Sequence, residues 1–72
     1  MIMTVEVFKT NITCIDQAER LACLLIGHFP ETRIDFDLED CDRILRVEDK
    51  QICVDTIIEI LGKHGLECEV LA

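Results

Sequence analysis

Cysteine and histidine are the residues of this chain best suited to chemistry, and three of them stand where connections between elements are expected. Cys14 lies in Ile12-Thr13-Cys14-Ile15-Asp16-Gln17, Cys41 in Glu39-Asp40-Cys41-Asp42, and His64 directly before Gly65. Thiolate and imidazole are ligands for soft and borderline ions, Cu(I) and Zn(II) among them. Cys14 is predicted at the first position of a helix, where the macrodipole and the free N–H groups favour a thiolate; Asp16 opposes that effect. The plainer alternatives are a partly buried cysteine at Cys14, an ordinary turn residue at Cys41, and at His64 a solvated imidazole interacting with a helix C-terminus.

The elements that must position these residues follow from periodicity. Thr4 to Lys9 alternates and is rich in β-branched residues, so it reads as a strand whose Val5 and Val7 face the core and whose Phe8 faces outward. Thr13 followed by Asp16 matches a helix-start signal with Thr13 as N-cap, and Ala18, Leu21, Ala22 and Leu25 form its buried stripe up to about His28. Phe29-Pro30 ends that helix. Arg33 to Leu38 alternates as a half-buried strand, and Ile44 to Val47 is a third strand. Asp49 is expected to cap a second helix with an inner stripe of Val54, Ile57, Ile58 and Leu61, ended by a left-handed Gly65. Leu66, Cys68 and Val70 then alternate in a closing strand.

This β-α-β-β-α-β order predicts an α+β, ferredoxin-like sandwich over residues 1–72, with sheet order 4-1-3-2 and both helices on one face. The topology places the connections carrying Cys14, Cys41 and His64 at one end of the domain and His28 at the other. Strand spacing puts Cys41 at least ~10 Å from the first strand. Among the remaining cysteines, Cys68 and Cys53 read as packing residues, and Cys23 as a thiol on the outer side of the first helix.

Composition limits the function classes. Fifteen acids against seven Lys and Arg give a formal charge of −8 at pH 7. Such a chain repels phosphate backbones and anionic lipid surfaces, and suits cations or basic proteins as partners. Trp and Tyr are absent, which removes most platforms for base stacking. No run approaches the ~20 apolar residues of a membrane span, and no signal-peptide pattern is visible. An odd count of five cysteines scattered through apolar patterns fits reduced thiols in a cytoplasm. No glycine-rich phosphate loop, nucleophile elbow, C-x-x-C pair or paired catalytic carboxylates occur, so an enzyme is not expected. The acids Asp16, Glu39, Asp40 and Asp42 gather at the loop end and read as a solvated rim or a docking surface for a basic partner.

Over nearly its whole length the chain resembles the heavy-metal-associated domains of copper chaperones and metal-transporting ATPases. The resemblance rests on the Ile12-Thr13-Cys14 loop, which is similar to an M-T-C-x-x-C metal loop, and on the Ala18, Leu21, Leu25 helix face. It extends to the Ile34-Asp35-Phe36-Asp37-Leu38 strand and to Gly65-Leu66-Glu67-Cys68, where the family tends to have G-Y-x-A. Gln17 stands at the second cysteine position, Ile12 at the methionine position, and Lys9 where the family usually has an apolar residue. The resemblance implies a small metal-handling or metal-sensing domain with a weakened soft-metal site. Cys14 would be its anchoring ligand, His64 an auxiliary one and Cys41 a more distant candidate. The ion would be Cu(I) or Zn(II), and a homodimer could supply a second Cys14. The alternative is a module that binds no metal and keeps the fold for protein interaction or oligomerisation.

Overall fold

The computed structural model describes residues 3–71. Its elements run β1 (Thr4–Thr10), α1 (Ile15–His28), β2 (Arg33–Asp37), β3 (Ile44–Asp49), α2 (Val54–Lys63) and β4 (Cys68–Val70). Four strands form one sheet of order β2-β3-β1-β4 in which every pairing is antiparallel. This is the expected 4-1-3-2 order read from the other edge. Among the described residues, no helix is long and apolar enough to cross a membrane.

The register assigns the two faces of the sheet. Phe8 lies opposite Leu45, which lies opposite Phe36, while Val7 lies opposite Arg46 and Arg46 opposite Asp35. Phe8, Leu45 and Val47 pack in one cluster with Ala18, Leu21 and Leu25 of α1 and Ile57, Ile60 and Leu61 of α2. Both helices therefore cover the same face of the sheet. The expected phase of β1 is reversed: Phe8 is fully buried, Val5 is 46% exposed and Val7 is only half-buried. This phase puts the largest apolar side chain of β1 into the core, where Leu45 lies opposite it across the ladder. The open face carries Val5, Val7 and Lys9 beside Arg46, Glu48, Arg33, Asp35 and Asp37.

Both helix starts differ from the expectation. The α1 N-cap is Cys14 rather than Thr13, since the Ala18 N–H bonds the Cys14 carbonyl at 3.3 Å. The α2 N-cap is Cys53 rather than Asp49, because β3 continues as far as Asp49. The Asp49 carboxylate instead accepts hydrogen bonds from the Thr32 hydroxyl and the Lys50 N–H. These bonds, that from Thr32 foremost, hold its pKa below the ordinary carboxylate range. The inner face of α2 is Ile57, Ile60 and Leu61, with Ile58 and Val54 only half-buried.

α2 ends in a Schellman motif: the Gly65 N–H bonds the Gly62 carbonyl at 3.1 Å and the Leu66 N–H bonds the Leu61 carbonyl at 3.0 Å. Gly65 takes φ 75°, the left-handed conformation that glycine adopts without steric cost. Leu66 is thereby committed to the helix cap, where it packs in the core with Leu61. This is why β4 begins only at Cys68 and is three residues long.

Candidate functional site

The end of β1 is the hub of the loop cluster. Thr10 is buried; its N–H donates to the Asp42 carbonyl at 3.0 Å and its hydroxyl donates to the Arg43 carbonyl at 2.6 Å. Lys9 lies 3.8 Å from the Asp42 carboxylate, an exposed and weak ion pair. Asn11 accepts the Glu67 N–H at 2.9 Å. Ile12 is fully buried and fixes the start of the β1–α1 loop. The β1–α1, β2–β3 and α2–β4 connections are thus stitched together at one end of the domain, as the topology implies.

The β2–β3 turn that carries Cys41 touches the end of β1 through the Asp42 and Arg43 carbonyls. The Arg43 N–H bonds the Asp40 carbonyl at 3.0 Å, and the Asp42 N–H bonds the Asp40 side chain at 2.8 Å. Arg43, just before β3, adopts φ 49°, in the left-handed region. Its guanidinium donates to the Leu38 carbonyl at 3.0 Å. Among the described residues, Asp40, Cys41 and Asp42 bring three ligand-type atoms within 4.8 Å of one another. Cys41 is exposed, and neither Cys14 nor His64 belongs to that group.

Cys14 is a free, exposed thiol at the N-cap of α1, which has no side-chain cap. The first-turn N–H groups of the helix therefore lie beside it without a side-chain acceptor. Thr13 turns the other way: its N–H and its hydroxyl both donate to the Gln17 amide oxygen, at 2.9 and 3.2 Å. The side chain at the second-cysteine position of the resembled loop is thus engaged within the loop. His64 is the C-cap of α2 and lines a groove with Gln17, Arg20 and Leu24 of α1. Cys14 is not among the residues that line this groove. His28 ends α1 at the far end of the domain, beside Phe29.

Two other cysteines carry features that periodicity did not expose. Cys53 is an exposed N-cap, and the Thr56 hydroxyl lies 3.0 Å from its sulfur. That bond, with the Thr56 N–H, draws its thiol pKa below the ordinary range. The signal was available in Cys53-Val54-Asp55-Thr56, where a Thr three residues on can reach an N-cap thiol. Cys68 is half-buried, and desolvation pushes its thiol up to about 11. Cys23 is exposed on the outer side of α1.

Comparison with protein-family models, with curated proteins and with solved structures finds no match to this chain.

Proposed function

We propose that this chain is a small cytoplasmic domain, ferredoxin-like in arrangement, that handles or senses a soft metal ion through a weakened site at Cys14. The observation that carries the reading is the free Cys14 thiol, exposed at the uncapped start of α1 and held there by the buried Ile12. Soft-metal binding uses the deprotonated form of such a thiol. One thiolate cannot provide linear two-sulfur coordination. Cys14 of a second copy completes the ligand set, with His64 as an auxiliary ligand for Zn(II) once it turns from its groove. Cys41 with its two aspartates is a separate, harder donor set.

The test is competition titration with Cu(I) and Zn(II) during sedimentation, on the wild type, Cys14→Ser and His64→Ala. Metal should drive dimerisation of the wild type, Cys14→Ser should abolish it, and His64→Ala should weaken the Zn(II) response alone. Tight one-to-one binding by a monomer, or binding unchanged in Cys14→Ser, overturns the reading.

A second reading is a domain that keeps the fold for docking and binds no ion. It is favoured by the Gln17 amide, which closes the Thr13–Gln17 loop through two hydrogen bonds without any metal. Absence of detectable metal binding in the same titration selects it.

A further inference from the structure

Between α1 and the edge strand β2 runs a groove whose floor is apolar and whose rim is acidic. The floor is formed by Ala18 and Ala22 of α1 with Phe36 and Leu38. Alanines at a spacing of four residues leave the helix surface low on this side, so Phe36 and Leu38 stay only half-buried. Ile15, at the loop end of the groove, is 66% exposed. Glu19 and Glu39 line its rim, and Asp37, on the open-face alternation of β2, borders it; none of the three makes an ion pair among the described residues. Among the described residues β2 pairs only with β3, so its other edge offers unpaired backbone groups there.

We infer that this groove and the free edge of β2 form a docking site for an extended segment of a partner protein in which basic and apolar residues alternate. Such a segment adds a strand to β2, the mode in which main-chain hydrogen bonds give affinity and alternate side chains give specificity. The alternation of β2 dictates the alternation of its partner. Ile34 and Phe36 point to the helix face, where the incoming apolar side chains lie over Ala18 and Ala22. Asp35 and Asp37 point to the open face, where incoming Lys or Arg side chains pair with them across the strands. Among the described residues, the one ion pair of Asp35 is an exposed contact of 3.7 Å with Arg33, which a partner cation can displace. Charge also disfavours a second copy as occupant, because two chains of −8 would bring two acidic rims together.

The inference is independent of Cys14, and its test keeps the two apart. The probe is a synthetic strand-forming peptide alternating Lys and Val, titrated into the full 15N-labelled chain, with Glu-Val and Lys-Ser peptides of equal length as controls. The Lys-Val peptide should shift the amides of β2 and of Ala18 to Ala22, and should do so equally in Cys14→Ser. The paired reversal Asp37→Lys, Glu39→Lys changes exposed residues, so it should leave the fold's spectral dispersion intact; it should weaken the peptide by about tenfold or more. Ala22→Arg should block the groove directly. The proposal fails if Glu-Val or Lys-Ser binds as well as Lys-Val, or if the shifts centre on β1 and β4 or on the loop end. It also fails if the charge-reversed chain binds the Lys-Val peptide as tightly as wild type. Concentration-dependent shifts of β2 in the free protein would replace it with self-association along that edge.

Discussion

The Gln17 amide oxygen accepts both the N–H and the hydroxyl of Thr13, and so closes the β1–α1 loop from within the chain. Gln17 sits three residues after Cys14, on the first turn of α1. Two consequences can be measured. Both hydrogen bonds are exposed, so Gln17→Ala should cost only about 0.5–1 kcal/mol, read as a small fall in the urea midpoint. Gln17→Cys should do something qualitatively different, because it places a second thiol one helical turn from Cys14. Under the metal reading, that variant should bind Cu(I) one-to-one and remain monomeric in sedimentation, whereas the wild type dimerises. A Gln17→Cys chain that still needs two copies per ion would show that the loop geometry, rather than ligand count, limits the site.

The phase of β1 yields a stability prediction with a sharp contrast. Phe8 is fully buried among Leu25, Leu45 and Leu61, while Val5 is 46% exposed on the open face. Phe8→Ala should therefore cost about 3–5 kcal/mol. Val5→Ala should stay within about 0.5 kcal/mol, as exposed substitutions usually do. Comparable losses at the two positions would mean that the open face of the sheet is covered in solution.

That contrast marks where the sequence was legible. Element order and sheet order followed from alternation and the two helical stripes, because period and chain connectivity are encoded locally. The phase of β1 was not, since Thr4 to Lys9 has apolar residues on both alternations and only the pairing of Phe8 with Leu45 decides between them. The face of α2 was ambiguous for a related reason: Ile57, Ile58, Ile60 and Leu61 form an arc wider than its contact with the sheet. The helix starts were misplaced because Thr13 and Asp49 are competent caps whose side chains found other partners, Gln17 and Thr32. The grouping of the Cys14, Cys41 and His64 connections at one end was legible from topology. The bonds that tie the end of the Cys41 turn to Thr10 were not, because they run to the backbone carbonyls of Asp42 and the left-handed Arg43.

The cysteines divide by environment, and pH should separate them. Cys53 is exposed, and the Thr56 hydroxyl and N–H stabilise its thiolate. Cys68 is half-buried, and desolvation raises its pKa from an ordinary value of 9.0 to about 11. Thiolate is the form that alkylates. Peptide-mapped iodoacetamide labelling near neutral pH should therefore modify Cys53 well before Cys68, and Thr56→Val should slow labelling at Cys53. Cys68 also carries a stability consequence whose sign follows from proton counting. Between pH 9 and 11 the unfolded chain has released the Cys68 proton while the folded chain still holds it, so ionisation favours unfolding as pH rises. The contribution is absent below the ordinary thiol range, and its size is reduced by the half-exposure of the side chain. Cys68→Val puts an apolar side chain suited to a strand in its place and removes the titrating group. Its denaturation midpoint should thus fall less steeply than that of the wild type above pH 9. Equal slopes for the two chains would show that the Cys68 thiol is as well solvated in the folded chain as in the unfolded one.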